Sequence, residues 1–266
     1  MSGVKRIAAT CFCQLGRRSN QEDALWPVQP GSSDRIFVVC DGVGGSDGGE
    51  LASAGVCRLL PSVLKPSVAS GRFVSDHQLR RAVHDVQSTL DNEEIGDAAT
   101  TMTLLYLHDE GATVAHIGDS RVYQFRPGSG RVFRTHDHSL VQEFVDDGLL
   151  TEEQARTHPH SNVITKAMRS LKTSVEESVP EIDHVRDVRA GDVFLLCTDG
   201  VWGEMPAEEL EAIMCGEGSI ETRMQRLAEA TQDSSDNNTA IAVEVQECSV
   251  TMPRSWISSV WHSLWR

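Results

Sequence analysis

Four times along this chain a short apolar run meets an aspartate, and that recurrence constrains the fold more than any other feature. IFVVC runs into Asp41, FLLC reaches Asp199 through one threonine, and AHIG leads to Asp119. Asp236 stands just before the last run, TAIAV. Short runs rich in β-branched or aromatic residues, bounded by Gly, Asp or Asn, read as strands. One acid at a strand end is ordinary, because aspartate favours turns. Four of them, with Glu22 and Asp23 in GRRSNQEDAL, can converge at one end of a sandwich. Such a cluster repels itself unless it is protonated or holds cations. Turn acids and a cation site both remain open on this ground alone.

The remaining pattern supports a sandwich. Strands are expected at 36–40, 101–107, 112–117, 121–125, 192–197 and 239–245, with another at the N-terminus, where MSGVKRIAATCFCQLG alternates. LHDEGATV and RPGSGR read as hairpin turns. Helical patterns run from about Gly49 to Leu64, His77 to Leu90, Ser139 to Asp147, Thr151 to Thr157, Ala207 to Met214 and Ile220 to Thr231. Pro206 with Glu208 and Glu209 marks one helix start. Strands in hairpins and helices in separate blocks predict an α+β fold, an antiparallel two-sheet β-sandwich flanked by helices.

Charge and cysteine content narrow the function classes. The net charge of −15 argues against nucleic acid as a partner, since that binding rests on Lys and Arg neutralising phosphates. Excess carboxylates suit cations or simply a solvated acidic surface. Seven cysteines, an odd number spread along the chain, do not form a disulfide framework, which points to a reducing, cytoplasmic setting. No apolar stretch is long enough to span a bilayer.

The glycine-rich stretch VVCDGVGGSDGGE lacks the Lys-Ser/Thr of a phosphate-binding P-loop and the spacing of a dinucleotide turn. Its glycines let the backbone come close to whatever Asp41 holds, so that a carbonyl can also serve a cation. Oxygen ligands of this kind suit Mg²⁺ or Mn²⁺ rather than zinc. Two such ions can activate a water for in-line attack on phosphorus.

GRRSNQED, VVCDGVGG, AATTM, AHIGDSRVY, DHSLVQEFVDDGLLTEEQA, FLLCTDGVW and DNNTAIAV together resemble, in order, the motifs of the metal-dependent protein phosphatases, the protein phosphatase 2C (PPM) family. The resemblance covers roughly residues 5–246. It implies hydrolysis of phosphoserine and phosphothreonine in proteins by a metal-activated water, without a phosphoenzyme. It implies that Asp41 bridges two ions, Mn²⁺ or Mg²⁺, and that Gly42 contributes its carbonyl oxygen. Asp199 and Asp236 would bind one ion, and Glu22 and Asp23 the other. Asp119 would join Asp199 at a weaker third site. Arg18 would grip the phosphoryl group, its planar fork suiting phosphate oxygens.

Three positions depart from the family pattern. Val43 stands where many members carry a histidine proposed as general acid, so the proton donor is left open. Ala99 and Arg169 stand where glycine is usual. Other readings remain: Arg17 competes with Arg18, and Asp119 could simply pair with Arg121. His116, His136 and His138 are expected to pack or hydrogen-bond rather than ligate metal. Cys11-x₅-Arg17 formally matches a cysteine-phosphatase loop, but its context alternates like a strand. A catalytically silent phosphoprotein-binding domain on the same fold is the alternative function.

The phosphatase domain is expected over 1–247 and a tail over 248–266. In the tail Trp256, Ile257, Val260, Trp261, Leu264 and Trp265 form an apolar stripe at helical spacing. It either packs on the sandwich or contacts a membrane surface or a protein. The segment from Asp137 to about Lys172 resembles the family's substrate-facing flap. The expected partners are a phosphorylated protein and a cognate Ser/Thr kinase.

Overall fold

The computed structural model describes residues 2–43, 48–68, 73–90, 98–171 and 178–250. The tail's apolar stripe and part of the glycine-rich loop lie outside the described residues. The strands are β1 (Ser2–Gln14), β2 (Asp23–Trp26), β3 (Ile36–Val43), β4 (Ala99–Thr100), β5 (Met102–His108), β6 (Gly111–Ile117), β7 (Arg121–Arg126), β8 (Gly130–Arg134), β9 (Met168–Arg169), β10 (Glu181–Val185), β11 (Val193–Cys197) and β12 (Asn238–Val250). The helices are α1 (Gly49–Val68), α2 (Asp76–Leu90), α3 (Leu140–Asp146), α4 (Glu152–Arg156), α5 (Asp199–Trp202), α6 (Ala207–Met214) and α7 (Ile220–Thr231).

One sheet has the order β1-β12-β11-β7-β8. The other runs β10-β6-β5-β3-β4-β9, with β2 on the far side of β3. Every pairing between these strands is antiparallel. Both expected hairpins form, β5–β6 across His108–Gly111 and β7–β8 across Arg126–Gly130.

Strand alternation divides the core into three layers. Phe37, Val39, Leu105, Val114, Phe194, Leu196, Ile241 and Val243 fill the space between the sheets. Their neighbours one residue away point outward. Val38, Cys40, Leu104 and Ile117 pack under α1 and α2. Leu195, Cys197, Ala240 and Ala242 pack under α5, α6 and α7. This is the expected α+β sandwich.

Helix starts follow their caps. Ser139 and Ser219 accept hydrogen bonds from Gln142 and Thr222 backbone N–H groups, and Thr151 with Gln154 forms a capping box. Two elements run further than the pattern predicts. α1 continues to Val68 through Pro61 and Pro66, held by buried Leu60 and Leu64. β12 continues to Val250 because β1 pairs with it along its whole length, so it takes in the first residues expected as tail. The short strands β2, β4, β8, β9 and β10 carry no periodic signal of their own. Among the described residues, no helix is long and apolar enough to cross a membrane.

Candidate active site

The alternation that builds the inter-sheet core also delivers the acids. Phe37 and Val39 face that core, so Asp41, two residues on, continues the same face where the apolar residues end. Asp23 is its register partner on β2, as Leu25 is for Val39. On the opposite sheet the same face ends in Thr198 and Thr239, after Leu196 and before Ile241. Asp199 opens α5 directly after Thr198, and Asp236 lies two residues before β12. Asp119 sits in the β6–β7 turn, reached through Gly118. The φ there is +98°, and a Cβ would lie 2.7 Å from Thr101 Cγ2.

Gly42 is fixed by contact rather than by dihedral. A Cβ there would stand 2.5 Å from the Gly49 carbonyl oxygen and 2.7 Å from that of Glu22. The loop carrying Glu22, the end of β3 and the start of α1 therefore meet only because residue 42 is glycine. The Gly42 N–H donates to the Glu22 carbonyl at 3.0 Å. The Glu22 carboxyl lies against Gly49, where a Cβ would be 3.3 Å from it.

The acids perturb one another as closely spaced carboxylates should. Burial first, then Asp199 and Asp23, hold Asp41 well above the usual carboxylate range. Burial also pushes Asp23 up to about 7, with Asp199 and Asp236 adding to the shift against the hydrogen bond from Thr198. Asp199 rises to about 6 through burial and then Asp236. Asp119 is raised well above its usual value by burial, then by Asp199 and Asp137. Thr198 Oγ1 donates to Asp23 Oδ2 at 2.9 Å, yet Asp23 Oδ1 and Asp199 Oδ1 are buried with no hydrogen-bond partner among the described residues. Buried carboxylate oxygens in that state are what a hard cation satisfies.

Of the two candidate arginines, Arg18 reaches the cluster. Its Nη2 donates to Asp236 Oδ2 at 2.6 Å, whereas the Arg17 backbone N–H ties the loop to the Ser234 carbonyl at 2.9 Å. Arg18, Asp199 and Asp236 line a cleft of about 520 Å³, walled on the flap side by Arg156, Ser161 and Asn162.

Arg121 does not pair with Asp119. Its guanidinium makes a bidentate pair with Asp137, Nε to Oδ1 at 2.9 Å and Nη2 to Oδ2 at 2.6 Å, and stacks 3.4 Å over Trp202. Trp202 Nε1 in turn donates to the Asp119 carbonyl at 3.1 Å. Asp119 is thus held by its backbone, and its carboxyl is left to the cluster.

His116, His138 and Glu181 offer ligand atoms within 4.8 Å of one another. The two rings, however, stack with an interplanar angle of 7°, so one ion cannot lie in the plane of both. His138 Nδ1 accepts the Gly118 N–H at 3.1 Å, which leaves the ring proton on Nε2. His116 Nε2 donates to the His136 carbonyl. These histidines pack and hydrogen-bond. Cys11 lies within β1, and burial pushes its thiol up rather than down, the reverse of what a cysteine nucleophile needs.

Polar residues that are not themselves candidate ligands hold the acids in place. Asn237 accepts the Glu22 N–H at 2.8 Å and donates to the carbonyls of Leu15 and Asn20, both at 2.9 Å, clasping the two chain ends together. Thr101 Oγ1 accepts the Asp41 N–H at 2.9 Å, and Thr100 Oγ1 donates to the Asp41 carbonyl at 2.8 Å. The hint was available in the paired polar residues of AATTM and DNNTA. Their partners lie far away in sequence.

Comparison with known proteins agrees with this geometry. The protein phosphatase 2C family matches residues 14–242. The serine/threonine phosphatase Stp of Listeria welshimeri is 27% identical over 235 residues, covering 85% of this chain and 91% of that protein. A crystal structure of a bacterial serine phosphatase is similar with a TM-score of 0.74 at 29% identity, covering 92% of this chain and all of that one. The catalytic domain of the serine/threonine phosphatase PstP, solved with two manganese ions, is similar with a TM-score of 0.72 at 26% identity, over 91% of this chain and 99% of that one. A family match across most of the sequence, on a sandwich that gathers its acids at one end, leads to one conclusion: the chain belongs to the protein phosphatase 2C family of serine/threonine phosphatases.

Proposed function

We propose that this phosphatase removes phosphate from phosphoserine and phosphothreonine in proteins with two divalent cations, Mn²⁺ or Mg²⁺. Asp41, the Gly42 carbonyl, Glu22, Asp23, Asp199 and Asp236 would hold the pair, and Asp119 with Asp199 a weaker third ion. The observation that carries the reading is the convergence of Asp23, Asp41, Asp119 and Asp199 with raised carboxyl pKa values, two of them with unsatisfied buried oxygens. The relative solved with two manganese ions is consistent with it. When bound, such ions supply Lewis acidity and lower the pKa of a water to the working range.

The chain's own residues do the rest. Arg18, more than half exposed and already at the cleft, turns its fork to phosphoryl oxygens once Asp236 no longer needs its charge. Thr100, Thr101 and Thr198 fix Asp41 and Asp23 so that little reorganisation accompanies the reaction. Val43 has no proton to give, so the leaving group draws its proton from elsewhere. The partner is a phosphorylated protein, with a cognate Ser/Thr kinase upstream, in a reducing cytoplasm. The phosphatase domain, expected over 1–247, extends to the end of β12 at Val250, and the residues after it serve as a tail for a membrane-surface or protein contact.

Hydrolysis of a small aryl phosphate, titrated with Mn²⁺ and Mg²⁺ in wild type and Asp41→Ala, tests the proposal. Metal-stimulated turnover that the substitution removes is expected. Metal-independent turnover, or full activity in the variant, overturns the mechanism. Absence of turnover in the wild type at every metal concentration favours a silent phosphoprotein-binding domain.

A further inference from the structure

We infer that the groove between α2 and the chain entering β10 docks an acidic, extended segment of the phosphoprotein substrate, a reading that rests on the function proposed above. On α2, His77, Arg80, Arg81 and His84 recur at helical spacing and share one face. That face forms one wall of a groove of about 410 Å³, closed on the other side by Ser178, Val179 and Pro180. Both arginines are exposed, and among the described residues no carboxylate lines the groove. His84 has Asp85 Oδ1 at 3.9 Å, but in a chain of net charge −15 the two exposed guanidinium groups of Arg80 and Arg81 make this groove complementary to a partner of opposite sign.

The groove is tied to the active site by strand register. Val43, Ala99 and Arg169, the three positions that depart from the family pattern, form one cross-strand row from β3 through β4 to β9. Two strand spacings, about 10 Å, separate the end of β3 from β9. Gln87, at the floor of the groove, donates from Nε2 to the Arg169 carbonyl at 3.1 Å. Exposed Arg169 therefore stands on the outermost strand of a row that starts beside the acid cluster, with α2 next to it. An extended chain advances about 3.3–3.6 Å per residue, so a substrate segment of roughly six residues reaches from the phosphorylated side chain to the groove. Acidic side chains on that segment would meet Arg169 first and the α2 arginines next. A nucleic acid fits poorly, because the surrounding negative charge opposes a polyanion of that density.

The test compares two phosphothreonine peptides of one length, one with glutamates four to seven residues from the phosphothreonine and one with glutamines. The enzyme is the full chain, as wild type and as R80E/R81E, with a small aryl phosphate as internal control. For the acidic peptide KM should rise about fivefold to tenfold in the variant, while kcat and aryl phosphate turnover stay unchanged. The preference for the acidic over the neutral peptide should vanish, and 0.5 M salt should erase it in wild type. An equal KM for both peptides in wild type, or an unchanged KM in R80E/R81E, overturns the inference and leaves a solvated basic face. R80Q/R81Q, which removes charge without reversing it, should give a smaller rise in the same direction. Fluorescence anisotropy with a labelled, unphosphorylated acidic peptide reads the groove without catalysis. A loss of binding in the variant supports docking even where aryl phosphate turnover fails and the metal mechanism falls. Equal binding of a single-stranded oligonucleotide would instead overturn the assignment of a protein segment.

Discussion

Asp23 and Asp41 are register partners across β2 and β3, two carboxylates placed directly opposite one another at the edge of the inter-sheet core. Like charges in that relation destabilise a sheet. The hydrogen bond from Thr198 only partly offsets the cost to Asp23. A cation held between them, as proposed above, would turn the repulsion into attraction. Replacing Asp41 with Asn should therefore raise the melting temperature of the metal-free protein by about 2–4 °C, for roughly 1 kcal/mol of relieved repulsion. The same change should abolish the stabilisation by Mn²⁺ and lower turnover at least ~10²-fold. Melting curves with and without Mn²⁺, run beside a turnover assay, check both.

The pH dependence of the metal-free protein follows from the same cluster. Asp23 and Asp199 have folded-state pKa values of about 7 and about 6, against an unfolded value of 3.8. Between those limits the folded state binds more protons than the unfolded state, so its stability falls as pH rises. With EDTA present, the melting temperature should drop from pH 5 to pH 7.5. Saturating Mg²⁺ or Mn²⁺ should flatten or reverse that slope. A slope of opposite sign in EDTA would contradict the raised carboxyl pKa values.

Arg18 and Asp236 are exposed enough for solvent to screen their contact, with side-chain exposures of 55% and 35%. Arg18→Ala should change stability by less than ~1 kcal/mol. It should nevertheless raise KM for an aryl phosphate about tenfold and weaken inhibition by inorganic phosphate to a similar degree. Lysine should rescue this only in part, because it cannot present two parallel donors. Steady-state kinetics with phosphate as inhibitor separate the two effects.

Asp137 and Asp119 should behave oppositely. Asp137→Ala leaves the Arg121 guanidinium buried without its anion and should destabilise by about 3–5 kcal/mol, roughly 10 °C in melting temperature. Asp119→Asn removes a charge that burial and its neighbours already oppose. It should leave the fold intact or slightly more stable, and shift the metal concentration needed for full activity. Thermal melts and metal titrations on both variants distinguish a structural acid from a ligand.

The acids at strand ends were legible in the sequence because strand character and turn preference are local properties. The alternation Phe37, Val39, Asp41 follows from a two-residue period, and so does the direction in which the Asp41 side chain emerges. The helix starts at Ser139, Thr151, Pro206 and Ser219 were equally local, being set by side chains within one turn. The brief strands β2, β4 and β9 were not legible. Two to four residues carry no period, and these exist only because β3 is there to pair with them or, for β9, because β4 is.

By itself the sequence determined which side chains could meet cations and phosphate, and in what order they come along an α+β chain. Tertiary structure alone decided the pairings. It set Asp23 against Asp41, gave Arg121 to Asp137 rather than to Asp119, and turned Asn237 into the clasp between Leu15, Asn20 and Glu22. It also aligned Val43, Ala99 and Arg169, far apart in the chain, in one cross-strand row leading from the end of β3 to β9. The reason is range. Alternation and capping are fixed within a few residues, whereas register and ion pairing are fixed by which distant strands close the core together.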